Sequence, residues 1–361
     1  MKKIPLLLLA LVVGLLTTGA GCLTFGAAQP TGPMGMYQSA DKGETWKQIA
    51  AMPTVAGAKS IAGIKTYRLH TDPSDPNAIY LATRGQGLYY TYNNGASWET
   101  VPAMAGKFIY GLAVSPKDKC TIFVSDGQHI FKTDDCLRTW TNVYTEERPD
   151  QRVVSVAVDF GNSNMVYAAE LGGDILVSNN SGTSWRVTQR FNFQLQYLVS
   201  DQFNPGRVYV AGYTNGIFRS DDSGTTWKDM SDGLDSFAEA NKFYRLVLNP
   251  GKKDSLFWVS KFGILRSDDA GATWTDLKLI TPPGSVNIYA FDINAKNQNE
   301  MYYTGTILGE KNAHVRSTFY KTTDGGKNWV TKKLPTNTIP VGVLINTVKD
   351  SIVSMGFAIL D

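Results

Sequence analysis

The chain has 361 residues, of which 43% are hydrophobic and 19% charged, with 34 Gly, 15 Pro, 8 Trp and 3 Cys. That hydrophobic content excludes a wholly disordered chain, and the length suits either two or three ordinary domains or one large closed architecture. Formal net charge is +3, and Lys2 and Lys3 lie in a leader, so the remaining chain is nearly neutral. It offers no basic stripe of the kind that nucleic acid requires.

In chain order, the first element is an export leader. Residues 1–21 begin with Lys2 and Lys3, continue through an apolar run from Ile4 to Leu16, and end in small residues before Cys22. The run is too short for the roughly 20 residues of a spanning helix, which predicts a signal peptide. Gly19, Ala20, Gly21 and Cys22 resemble the lipobox of bacterial lipoproteins. The resemblance implies lipidation of Cys22, a Pro/Gly-rich tether over residues 22–33, and a body held at a bacterial membrane on its extracytoplasmic side, in the periplasm or at the cell surface.

Seven segments of one pattern follow, reading SADKGETW, TYNNGASW, TDDCLRTW, SNNSGTSW, SDDSGTTW, SDDAGATW and TTDGGKNW. Each has a hydroxyl residue, then Asp or Asn two positions on (Asp41, Asn93, Asp135, Asn180, Asp222, Asp269, Asp324). Glycine usually stands four positions on, and Trp seven (Trp46, Trp98, Trp140, Trp185, Trp227, Trp274, Trp329). Seven of the eight tryptophans are thus one repeated position, spaced 42 to 55 residues apart. A period in the forties built from strand-like pieces predicts an all-β seven-bladed β-propeller of four-stranded antiparallel blades. In the unit from Phe243 to Leu277, the runs YRLVL, LFWVS, ILRSD and TWTDL read as strands A to D from inside to outside, with the repeat as the C–D hairpin loop.

The first repeat has only strands C and D around it, while PVGVLINTV and SIVSMGFAIL follow the last. These two are expected to serve as A and B for the first blade, a two-plus-two closure between N- and C-terminal strands that makes 34–361 a single propeller. Antiparallel pairing about Gly127 places Cys120 opposite Cys136, which predicts a structural disulfide. With 3 His and no clustered ligands, neither a metal nor a cofactor is implied.

Asn exchanges with Asp in the repeats and cannot act as a base, so these residues are expected to hold turns, and no catalytic residue is assigned. Aligning the A strands by their turns gives a column at the channel mouth on the B–C/D–A face: Tyr67, Tyr110, Val154, Tyr197, Tyr244, Tyr289 and Val341. The next column carries Arg68 and Arg245. These tyrosines and arginines are candidate ligand-binding residues, against the alternative of blade-to-blade packing. Longer loops at 50–65, 145–152, 231–242 and 305–317 surround the same face.

The repeats are those called Asp-box or BNR repeats. They occur in sialidases, xyloglucanase-type hydrolases, sortilin-type receptors and photosystem II assembly factors. Sialidases carry an Arg-Ile-Pro type motif that is missing here, and the xyloglucanase type uses two propellers. Sortilin-type receptors carry ten blades and a cysteine-rich companion domain, which sets them aside. The chain is closest in type to the photosystem II assembly and stability factors, lipid-anchored single propellers. That resemblance implies a monomeric, non-enzymatic scaffold that binds a protein or glycan, meets the membrane only through its anchor, and has no nucleic-acid partner. The alternative is a secreted sialidase-like glycoside hydrolase, which needs paired carboxylates such as Glu170 with Asp174, or Glu310.

Overall fold

The computed structural model describes residues 32–359; the leader, Cys22 and most of the tether lie outside the described residues. Seven four-stranded antiparallel sheets form a ring. In blade 1, strands A and B are Ile339–Ile345 and Val353–Ala358, and strands C and D are Gly35–Ser39 and Lys47–Gln48. Inner strands of blades 2 to 7 are Thr66–Thr71, Gly111–Ser115, Val153–Val158, Leu195–Ser200, Phe243–Leu248 and Asn287–Ile293. Blade 1 is closed as expected: Met355 pairs with Tyr37 on one side and with Val343 on the other.

Each repeat turn is organised by its own side chains. In the first, Ser39 Oγ donates to Asp41 Oδ1 (2.6 Å) and accepts the Gly43 N–H (2.7 Å), and Asp41 accepts both the Thr45 N–H (2.8 Å) and the Thr45 hydroxyl (2.6 Å). Where Asn replaces Asp, the amide donates instead, Asn93 Nδ2 to Ser97 Oγ at 2.8 Å, so either residue completes the turn. The hydroxyl of Ser39 holds the Asp41 carboxyl well below the usual range, and Thr139 holds Asp135 at about 2. We expect Asp269→Asn to leave the thermal midpoint near wild type. Asp269→Ala loses acceptors for Thr273 and Ser267 and is expected to destabilise by about 2 kcal/mol in urea titrations.

The fifth position of the turn requires a left-handed backbone, with φ +85° at Gly43 and +92° at Gly271. Leu137 takes φ +73° without the glycine that favours it, and that turn is the one crosslinked by the Cys120–Cys136 disulfide, Cα atoms 4.0 Å apart. The tryptophans lean on the preceding blade: Trp98 Nε1 donates to Ile49 O (2.8 Å) and Trp185 Nε1 to Val143 O (3.0 Å), while Trp46 meets Phe319 edge-on. Only Trp98, Trp274 and Trp329 are fully shielded; the other four are half-buried, because a wedge on the outer strand of a blade keeps one ring edge at the rim.

Two of the loops read from sequence are ordered as hairpins. Ala51–Thr54 pairs with Gly57–Ser60. The insertion in blade 7 prolongs strands B and C to Met301–Leu308 and His314–Thr322, since alternate residues such as Thr306 and Ser317 keep the ladder going. Both hairpins stand on the B–C/D–A side, around the channel mouth.

Candidate functional site

Six inner strands share one irregularity, a bulge near the B–C/D–A end. Its skipped residues are Tyr67, Val154, Gln196, Tyr244, Tyr289 (with Ile288) and Val341. Tyr110 holds the same place in blade 3, just before Gly111 pairs with Ser125. A bulged residue leaves the ladder and frees its carbonyl. Five of these seven carbonyls point into the channel, and two arginines collect them. Arg68 donates through Nη1 to Tyr110 O (3.2 Å) and Val154 O (3.3 Å) and through Nη2 to Gln196 O (3.2 Å). Arg245 donates through Nε and Nη2 to Tyr289 O (3.1 and 2.9 Å) and through Nη2 to Val341 O (2.8 Å). The two remaining bulge residues, Tyr67 and Tyr244, immediately precede the arginines in the chain. Arg68 therefore joins the inner strands of blades 2 to 5, and Arg245 those of blades 6, 7 and 1.

This register corrects one member of the tyrosine column. Tyr197 pairs with Ala211, as Arg68 pairs with Ala82 and Arg245 with Val259, so it belongs to the arginine level. Gln196 takes its place at the mouth. The bulge shifts the register by one residue, which alignment by turns cannot detect. The Tyr197 ring lies 5.1 Å from the Arg68 guanidinium and faces the channel interior.

The structure brings Tyr67, Arg68, Tyr244, Arg245 and Tyr289 into one recess of about 290 Å³, with Lys65 and Arg84 at its rim. Tyr110 is elsewhere: it stacks on Phe108 at 4.0 Å and packs over Gly127. Tyr244 donates to Asn287 Oδ1 (2.7 Å), and burial pushes its hydroxyl up to about 12. Arg84 is exposed and lies 5.2 Å from the Tyr67 ring centre and 5.9 Å from that of Phe108, a cation–π arrangement. Four cationic residues line the recess, and among the described residues that line it none is Asp or Glu. Arg84 and Lys65 were legible only by considering the B–C turn TRGQG and the strand entry together with the A strands.

Deeper in the channel, His70 is kept neutral by burial and by the two arginines, its value lowered to about 3, and its buried Nε2 has no hydrogen-bond partner. Near the far end, burial raises Asp292 to about 7, although its carboxylate accepts the N–H groups of Ile345 (2.7 Å) and Ile293 (2.9 Å). The opposite mouth, on the side of the repeat turns, opens into a cavity of about 280 Å³ containing Asp72 and Asp292. The channel is positive at one end and acidic at the other.

The paired carboxylates considered for hydrolysis form a separate cluster. The turn ELGGD reads in sequence as a solvated hairpin tip, but Glu170 and Asp174 at its ends are both buried, because Arg148 from the loop of residues 145–152 folds over them. Arg148 holds Glu146 with two bonds of 2.8 Å, reaches Glu170 Oε2 at 2.5 Å and Asp174 Oδ2 at 3.1 Å, while Tyr144 donates to Glu170 Oε1 at 2.8 Å. Burial and the neighbouring Glu146 push Glu170 up to about 8. Arg148 holds Glu146 far below the usual range. Glu310 is exposed in the blade 7 insertion.

Ring, turns and channel define a seven-bladed β-propeller whose inner strands are clamped by arginines and whose one mouth is cationic and aromatic. The family described as sortilin, neurotensin receptor 3 (Sortilin-Vps10) matches residues 35–146 and 215–341, and the chain belongs to it. Blade number had set that family aside. The match overturns the exclusion, because it lies in the repeat units and not in how many close the ring.

A vacuolar protein sorting/targeting protein 10 from Mycosarcoma maydis is 40% identical over 63 residues, 18% of this chain and 4% of that protein. Among solved structures, the GH74 enzyme of Niastella koreensis is similar with a TM-score of 0.64 at 16% identity, over 86% of this chain and 53% of the enzyme. YCF48 bound to D1 peptide is similar with a TM-score of 0.59 at 14% identity, over 86% of this chain and 94% of YCF48. The chain thus spans a small part of the curated relative and about half of the GH74 enzyme, and the structural likenesses show the fold alone.

Proposed function

We propose that the protein is a non-enzymatic, extracytoplasmic binding scaffold, anchored to a bacterial membrane through a lipidated Cys22, that recognises an acidic segment of a partner protein at its B–C/D–A face. The observation that carries this reading is the mouth recess, where Arg68, Arg84 and Arg245 converge with three tyrosines and no Asp or Glu stands among the described lining residues. Such a surface pays little to accept a carboxylate between guanidinium groups and apolar ring faces. YCF48, whose single propeller shares this fold, is seen with a bound peptide, and the two hairpins beside the mouth enlarge the contact area. The photosystem II assembly factors remain the type it most resembles through its Asp-box repeats.

The second reading, a glycoside hydrolase, draws on the fold shared with the GH74 enzyme. It needs two carboxyls roughly 5–10 Å apart facing a substrate. The described residues of the mouth lining include none, and Glu146, Glu170 and Asp174 are bound to Arg148.

The test is binding of fluorescent acidic, neutral and basic peptides to the full chain in detergent. Acidic peptides are expected to bind in a salt-sensitive manner, and Arg84→Glu, at an exposed position away from the carbonyl clamp, to weaken them about tenfold. Equal binding of all three peptide classes, or no effect of Arg84→Glu, refutes the reading. Cys22→Ser is expected to release the chain from the membrane fraction.

A further inference from the structure

Between the mouth and the far end, the channel encloses a chamber of about 50 Å³ lined by Arg68, His70, Tyr197, Tyr244 and Arg245. Two guanidinium groups face a space with no acid among its described lining residues, and burial, with Arg68, lowers the proton affinity of Arg245, which Asp292 further along the channel offsets only in part. The channel carboxylate of Asp292 lies toward the opposite end, saturated by two backbone N–H groups and readily protonated.

The donors are also incompletely used. The carbonyl clamp occupies Nη1 and Nη2 of Arg68 and Nε and Nη2 of Arg245. The buried His70 Nε2 bonds to no other group among the described residues. Buried charge is costly unless it meets opposite charge, and a buried donor without an acceptor adds to that cost. The volume exceeds the roughly 10–15 Å³ that one water needs, so an ion and its first waters fit.

We propose that the channel holds a halide-sized inorganic anion, bound between the guanidinium groups of Arg68 and Arg245 with His70 Nε2–H as a further donor. The chamber shares Arg68, Tyr244 and Arg245 with the mouth recess, but the unpartnered His70 Nε2 inside it calls for an acceptor whether or not the mouth is occupied. The anion would neutralise the clamp that ties the inner strands, which makes it part of the ring's stability. Tautomer follows ligand here: with an anion present, the neutral imidazole carries its proton on Nε2.

The experiment is a ³⁵Cl line-broadening titration of the full chain in detergent, prepared in sodium gluconate, with bromide as competitor, and bromide anomalous diffraction from its crystals. Expected are excess broadening reversed by bromide and one anomalous peak within hydrogen-bond distance of Arg68 and Arg245. Arg245→Met should abolish both signals, and if that variant does not fold, His70→Phe, which keeps both arginines, should weaken halide binding about fivefold. Asp292→Asn should preserve or tighten it. No excess broadening, bromide only on the outer surface as an adventitious ion, or loss of binding in Asp292→Asn with none in His70→Phe would each overturn the proposal.

Discussion

Met355→Asp is expected to remove most of the stability of this propeller, about 4 kcal/mol or more, and to lower the thermal midpoint by about 10 °C. Met355 is fully buried in the strand that joins the two ends of the chain, between Tyr37 and Val343, and packs with Phe319, Tyr302 and Phe357. Truncating a buried methionine alone costs about 2–5 kcal/mol, and an aspartate there adds a carboxylate with no cation beside it. The variant also attacks the one blade assembled from distant pieces of chain, so its loss opens two sheet edges at once. Val348→Asp serves as the control: that residue is 57% exposed in the turn between the last two strands, and its replacement should fall within about 0.5 kcal/mol of wild type. Similar midpoints for both variants would show that the closing strands are dispensable.

Arg148→Met should produce the second large effect, and its size should depend on pH. In the native protein Glu146 is held low by Arg148, so its contribution is present above the unfolded value near 4.3 and is lost as pH falls through the lower folded value. Glu170 behaves oppositely. Its raised value means that the folded chain keeps a proton the unfolded chain has released, so stability declines as pH rises from about 4 toward about 8. Removing Arg148 deprives Glu146 and Glu170 of their cation and leaves Asp174 only Arg190. At pH 8 we expect a loss of about 3 kcal/mol, at the low end for a broken buried pair because the Arg148 side chain is 51% exposed and screened. At pH 5 the gap should narrow, since protonated carboxyls can bond to each other and to Tyr144. Urea midpoints at the two pH values decide the matter. A loss that is equal at both would assign Arg148 a packing role only. Glu170→Gln, which mimics the protonated acid, should flatten the decline above pH 5.

The acid cluster also shows why part of the candidate site could not be read in advance. ELGGD looks like an ordinary polar hairpin tip, and nothing within those five residues says that Arg148, more than twenty positions earlier, lies over it. Burial of Glu170 follows from where the loop of residues 145–152 lands, which depends on the angle between blades. The tyrosine column was legible in kind but not in register: Tyr197 and Gln196 differ by one place, and a single bulge decides which of them meets the mouth. Arg68 and Arg245 were correctly singled out. Their partners, backbone carbonyls up to 128 residues away, carry no sequence signal at all.

What the sequence by itself determined is the part of the protein that repeats. Hydroxyl, Asp or Asn, Gly and Trp at fixed spacing specify a turn through bonds within eight residues, and seven such turns with strands between them leave a closed ring as the arrangement that buries every inner edge. The pairing of chain ends and the proximity of Cys120 to Cys136 follow from the same local count. Only the tertiary structure decided what the ring encloses, because channel chemistry is set by side chains from different blades meeting across an axis. Which carbonyls turn inward, which arginines reach them, and where a buried donor is left without a partner are properties of that convergence and not of any one segment.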